Sequence, residues 1–129
     1  MPSQADLLSE RAETFAIRVL RLVRALPREP AADGIARQLA RSGPGISSNY
    51  RSCRRARSRA EFIARLGIVV DEADETNHWL TILDKSEIVS SQELESLLQE
   101  SVELRAIFVR SLTTARQNHQ SARSKTSKL

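Results

Sequence analysis

Apolar residues recur along this chain at steps of three and four, and nowhere at a sustained step of two. Steps of three and four bring a side chain back to the same face of an α-helix, so the pattern predicts helices and no sheet. Four segments carry it. In the first, Leu8, Ala12, Phe15, Val19, Leu22, Val23 and Leu26 predict a helix over about residues 6–25. Ser3 and Asp6 have capping-box spacing at its start, and Pro27 stops it. Its acids Asp6, Glu10 and Glu13 come early and Arg18, Arg21 and Arg24 late, which suits the helix dipole. In the second segment Asp33 is the expected N-cap, and Ile35, Leu39, Ile46, Tyr50 and Cys53 carry the stripe to about residue 57. Gly43-Pro44-Gly45 interrupts it, because Pro44 has no amide hydrogen and its ring crowds the carbonyl of Ala40. The stripe keeps its phase across the interruption, so one kinked helix is expected there.

The third segment opens on the capping box Ser58-Arg59-Ala60-Glu61. Ile63, Leu66, Val70, Ala73, Asn77, Leu80 and Leu83 then predict a helix over about residues 59–84, about 39 Å long. The fourth opens on Ser90-Ser91-Gln92-Glu93, with the same spacing, and continues through Leu94, Leu97, Leu98, Val102, Leu104, Ile107, Phe108 and Leu112 to about residue 116. Its apolar residues cover more than one face, which predicts contact both inside the bundle and with another subunit. From Gln117 onward the chain is rich in Ser, Lys and Arg without periodicity, and a disordered tail is expected. Four long helices with short connections predict an all-α, antiparallel up-down-up-down four-helix bundle. It forms a single domain over residues 1–116, with a basic tail over 117–129.

Composition narrows the class further. Only five aromatic residues occur in 129, so the core must be made of Leu, Ile, Val and Ala. Four glycines and four prolines argue against a turn-rich β-sandwich or a glycine-rich nucleotide fold. The net charge of +4 hides an asymmetry. Residues 1–70 hold 13 arginines against six acids, and residues 71–116 hold four basic against ten acidic residues. Such a division means an anionic partner or two halves that complement each other. Cys53 is the only cysteine, which excludes an internal disulfide framework; it is read as a small helix-packing residue. No basic region followed by an apolar run opens the chain, and no apolar run approaches a membrane span. A cytoplasmic protein with no membrane partner is expected.

Three runs together resemble a known bacterial family. They are Arg41-Ser42-Gly43-Pro44-Gly45-Ile46-Ser47-Ser48-Asn49-Tyr50, Ser58-Arg59-Ala60-Glu61-Phe62-Ile63-Ala64-Arg65-Leu66-Gly67-Ile68, and Glu72-Ala73-Asp74-Glu75-Thr76-Asn77-His78-Trp79-Leu80. In this order they are similar to the four helix bundle proteins, also called 23S rRNA intervening-sequence proteins. The resemblance spans about residues 10–115. It implies an antiparallel four-helix bundle that assembles as a homopentameric ring. It further implies kinship with the accessory variability proteins of retroelements, whose partners are nucleic acid and a reverse transcriptase. In one place the chain departs from the pattern. Where many members follow the asparagine of the first motif with an acid and a glycine, Asn49 is followed by Tyr50-Arg51-Ser52-Cys53-Arg54-Arg55.

That departure belongs to a larger cluster. Arg51, Arg54, Arg55, Arg57, Arg59 and Arg65 fall within fifteen residues and meet one acid, Glu61. In a ring the cluster repeats around the axis, and its field attracts phosphate. Nucleic acid, either DNA or RNA, is therefore the expected ligand of Arg51, Arg54, Arg55, Arg57 and Arg59. Two other readings stay open: pairing with Glu72, Asp74, Glu75 or Glu103 on neighbouring helices or subunits, and simple solvation. Tyr50 is the one ring placed to stack on a base. Glu75-Thr76-Asn77-His78 has a metal-ligand spacing, but a dimetal bundle needs two copies and further glutamates, so no metal and no cofactor is expected. Glu72, Glu75 and His78 are read instead as polar packing at a helix or subunit interface with Trp79 as anchor, and Trp79 or Phe108 is expected near a subunit contact. No phosphate-binding loop, zinc spacing or nucleophile elbow occurs, and a non-enzymatic binding or scaffold module is expected. The alternative is a purely structural, protein-interaction ring.

Overall fold

The computed structural model describes residues 1–127, of which the side chains are described through Lys125. It contains α1 (Gln4–Ala25), α2 (Pro30–Cys53), α3 (Arg59–Lys85) and α4 (Gln92–Ser127). α1 packs on α2 and α4, and α3 packs on the same two helices, so the four stand at the corners of a square. Connections of a few residues reverse the chain at each step, giving the expected antiparallel four-helix bundle.

The helix starts show how local chemistry sets the boundaries. Ser3 and Asp6 form a complete capping box: the Ser3 hydroxyl accepts the Asp6 amide and the Asp6 carboxylate accepts the Ser3 amide, both at 3.0 Å. Ser58 caps α3 by accepting the Glu61 amide at 3.0 Å. α4 begins one residue later than its spacing suggested. Ser91, not Ser90, accepts the Leu94 amide, at 3.1 Å. Glu93 does not reach back to a cap; it pairs with Arg18 on α1. α2 starts at Pro30, ahead of the expected cap Asp33, with Glu29 as N-cap. Proline suits the first helical position because its missing amide would have no partner there. α2 also ends earlier than expected, at Cys53, where Arg55 and Ala56 donate to the Ser52 and Cys53 carbonyls and tighten the chain into a turn.

Pro44 leaves α2 continuous, as the unbroken stripe required. Close packing explains why its two neighbours are glycines. A Cβ at Gly43 would lie 2.8 Å from Cγ1 of Val19 on α1, and one at Gly45 would lie 2.6 Å from the Glu72 carboxylate on α3. α2 thus approaches one neighbour through each glycine.

The core is built from Phe15, Val19, Leu39, Ile46, Leu66, Val69, Leu80, Leu83, Leu94, Leu97, Leu104 and Phe108, all fully buried. Each such aliphatic side chain contributes roughly 1.5–3 kcal/mol on burial. On α3 the inward stripe passes through Val69 and Thr76 instead of Val70 and Asn77. Thr76 is accommodated because its hydroxyl donates to the Glu72 carbonyl at 2.8 Å. Phe108 was expected near a subunit contact and is instead fully buried inside its own bundle, 5.2 Å from the ring of Tyr50. α4 does carry a second apolar face, where Val102 is 58% and Val109 40% exposed.

α4 passes the expected boundary at residue 116 and stays helical to Ser127. No described residue after Leu112 is buried, but neither does any glycine or proline stop the helix, and propagation adds a hydrogen bond for each residue. Of the expected disordered tail, Lys128 and Leu129 lie outside the described residues. No helix among the described residues is long and apolar enough to cross a membrane.

Candidate nucleic-acid interface

The arginine cluster lies where α2 ends and α3 begins. The structure divides it into two groups. Arg54 turns back onto α1, donating to Asp6 at 2.7 Å and to Ser9 at 2.9 Å. That guanidinium, with the amide of Ser3, holds the Asp6 carboxyl down at about 2. Arg65 donates to Glu61 one turn back on α3, at 3.0 Å. Glu61 also accepts the amide of Arg57 at 3.3 Å, and together these bonds lower its pKa.

Arg51, Arg55, Arg57 and Arg59 are exposed, and none forms an ion pair with a carboxylate among the described residues. The acids considered as partners for the cluster are engaged elsewhere. Glu72 and Glu75 pair with Arg41, Asp74 with Arg105 at 3.0 Å, and Glu103 with Arg11 at 2.8 Å. Within one subunit, pairing therefore holds for Arg54, through Asp6, and for Arg65, through Glu61, and not through the acids that were named. Tyr50 offers no stacking surface: it is 7% exposed and lies against Phe108. Burial also raises its pKa.

Ser52, Arg55, Arg57, Glu61 and Arg65 line a cleft of about 370 Å³ at this corner. Ser52 and Arg55 are joined by a turn, in which the Arg55 amide donates to the Ser52 carbonyl at 3.0 Å. Cys53 lies just inside. It is fully buried, its thiol donates to the Phe62 carbonyl at 3.6 Å, and burial pushes its pKa up to about 11. A thiol held protonated in this way packs and does not attack.

The expected interface residues separate as well. Glu72 is shielded against α2, where burial raises its pKa although Arg41 opposes the shift. Glu72 and Glu75 thus tie α3 to α2 inside the subunit, through Arg41. His78 is exposed and meets the half-buried Trp79 edge to face, with ring centroids 5.0 Å apart. The indole Nε1 of Trp79 is buried and has no acceptor among the described residues. Glu75 and His78 belong to no group of three or more potential metal ligands among the described residues.

Sequence reasoning missed one polar network altogether. Arg11 grips Glu100 with two bonds, at 2.8 and 2.6 Å, and also reaches Glu103. Arg18 donates to Glu93 at 2.9 Å and to Ser96 at 2.7 Å. A signal for it existed. Arg11 and Arg18 are two turns apart on α1, and Glu93 and Glu100 are two turns apart on α4. In antiparallel helices that spacing aligns both pairs at once.

With the geometry in place, comparison with known proteins adds kinship. A family model described as 23S rRNA-intervening sequence protein matches residues 7–110. The match takes in the whole arginine cluster and stops short of the end of α4. Among solved structures, the chain is similar to a protein with unknown function from the S23 ribosomal protein family of Bacteroides thetaiotaomicron. The two are 30% identical, the TM-score is 0.78, and the alignment covers 86% of this chain and 99% of that one. No curated protein matches the chain.

Proposed function

Because the chain belongs to the 23S rRNA-intervening sequence protein family, we propose that it is a non-enzymatic bundle that assembles with its own copies and holds nucleic acid at the α2–α3 corner. The assembly is a ring, five-membered as the resemblance in its motifs implies. Arg51, Arg55, Arg57 and Arg59 are the contacts, and Arg54 is set back among them by its bond to Asp6. One observation carries the reading: four exposed guanidinium groups on one corner have no carboxylate among the described residues to neutralise them. Arginine contacts to phosphate carry no base information, so binding is weakly sequence-specific and falls steeply with salt. A reverse transcriptase is the protein partner that the resemblance suggests.

The test is the full chain with Arg51, Arg55, Arg57 and Arg59 all changed to Gln, titrated with a labelled DNA or RNA strand at several salt concentrations. The expected result is a salt slope flattened by about one unit for each phosphate that an arginine no longer neutralises. An unchanged slope overturns the reading and moves the binding to the basic end of α4. Light scattering that finds a 14.4 kDa monomer at micromolar concentration overturns the ring.

The second reading is an interaction ring with no nucleic-acid ligand. The exposed Val102 and Val109 on α4 favour it, since each is an apolar group that a neighbouring chain would cover. It becomes the better reading if the ring forms and no strand binds at about 50 mM salt, where phosphate contacts are strongest.

A further inference from the structure

The cleft at the α2–α3 corner differs from the rest of the cluster in being concave. Arg51 and Arg59 lie outside it, whereas Arg55, Arg57 and Arg65 converge on it with Ser52 and Glu61. Three guanidinium groups against one carboxylate leave a surplus of two positive charges in one small space. An internal phosphodiester carries a single negative charge, while a phosphate monoester carries about −1.5 to −2 at pH 7. The cleft therefore matches the monoester.

We infer that it is a pocket for one phosphate monoester, either free or at the end of a nucleic-acid strand. The proposed function bears only on which of these two carries the phosphate. Glu61 shows the arrangement the pocket favours. Its carboxylate accepts the Arg57 amide and the Arg65 Nε, which are donors that an incoming phosphate oxygen would use. The Arg57 bond is long, at 3.3 Å, and is readily exchanged. The guanidinium groups of Arg55 and Arg57 have no carboxylate partner among the described residues and can close on the ligand as planar forks. Glu61 thus acts as an internal competitor for the anion.

The probe is inorganic phosphate, titrated calorimetrically into the full chain near pH 7.5 with ionic strength held constant by chloride. Saturable binding at one site per subunit is expected. Arg55→Gln with Arg57→Gln should weaken it at least about tenfold, and Glu61→Gln should tighten it about fivefold by removing one opposing charge at contact distance. Circular dichroism confirms that each variant folds. A second arm compares a 5′-phosphorylated with a 5′-hydroxyl strand of the same sequence. A preference for the phosphorylated strand that disappears in the Arg55/Arg57 variant assigns the pocket to strand ends. Saturable phosphate binding without that preference assigns it to a free anion. If strands bind equally well and phosphate does not saturate, the pocket falls while the nucleic-acid reading stands. If neither binds, both fall. Weaker phosphate binding in Glu61→Gln also overturns the pocket, since the carboxylate would then be supporting the site instead of occupying it.

Discussion

At the α1–α4 seam, Arg11 and Arg18 reach across to Glu100, Glu103 and Glu93, so each of these arginines has a carboxylate. At the α2–α3 corner, six arginines between residues 51 and 65 share Glu61 and the more distant Asp6. The residue type is the same and its use is opposite. At the seam, guanidinium groups fasten two helices together; at the corner, most of them face outward with charge to spare. What separates a structural arginine from a ligand-binding one here is the local surplus over carboxylates, more than arginine density. The same distinction explains Arg41 and Arg105, which sit against α3's acids and are consumed by them.

The largest effect belongs to the seam. Glu100 is only 18% exposed, and its paired bonds to Arg11 hold its pKa below the usual value. Arg11→Met leaves that carboxylate half-buried beside Glu103 without its paired guanidinium. A loss of about 2 kcal/mol is expected in chemical denaturation at pH 7, in the range for a partly buried charged group deprived of its partner. Arg57→Gln, at the corner, should stay within about 0.5 kcal/mol in the same assay. Equal losses at the two sites would erase the comparison.

Asp6 provides a smaller and pH-dependent effect, since it joins the corner to α1. Its pKa is 3.8 when free and about 2 in the fold, so the folded state favours the charged form. A depressed carboxyl contributes stability that is fully present above the unfolded value and is lost as pH falls through the folded one. The melting temperature of the native chain should therefore exceed that of Asp6→Asn by a constant margin from pH 7 to about pH 4. The margin should narrow as pH falls below about 4 and close only below about pH 2. A margin that does not narrow at all between pH 4 and pH 2 would mean that the charge of Asp6, and with it the bond to Arg54, contributes nothing.

Much of this fold was legible in the sequence because its signals are local and repeat. Leu and Val at helical spacing, Ser3 and Ser58 as caps, and Pro27 as a stop all act within a turn or two, and the helices formed where they predict. The errors arose where distant contacts decide. Glu93 was read as half of a capping box and is held by Arg18, 75 residues away. Phe108 looked available to a partner, and Tyr50 across the bundle shows that it is not. The end of α4 lacks an apolar stripe, and sequence periodicity reports burial better than it reports helix. The arginine cluster itself was plain in the sequence. Its division into engaged and unengaged members was not, because it depends on α1 passing near Arg54 while Glu72 and Glu75 are taken by Arg41, farther up α2, and Glu103 by Arg11 on α1.

The smallest expected change in stability is the sharpest test of the comparison. Arg59 is exposed, lies in the first turn of α3 and has no carboxylate partner among the described residues. Arg59→Gln should leave stability within about 0.5 kcal/mol. If Arg59 contacts one phosphate, the same substitution should lower the slope of log affinity against log salt by about one. Arg18→Gln should behave in the reverse sense. Arg18 is 27% exposed and holds Glu93 and Ser96, so its loss should cost about 1 kcal/mol and leave the salt slope unchanged. The two substitutions remove identical charge from one protein, so a general electrostatic effect would move both slopes equally. Only a difference in where the charge is used moves one readout for each. If Arg59→Gln and Arg18→Gln flatten the slope alike, nucleic acid responds to net charge and not to the corner.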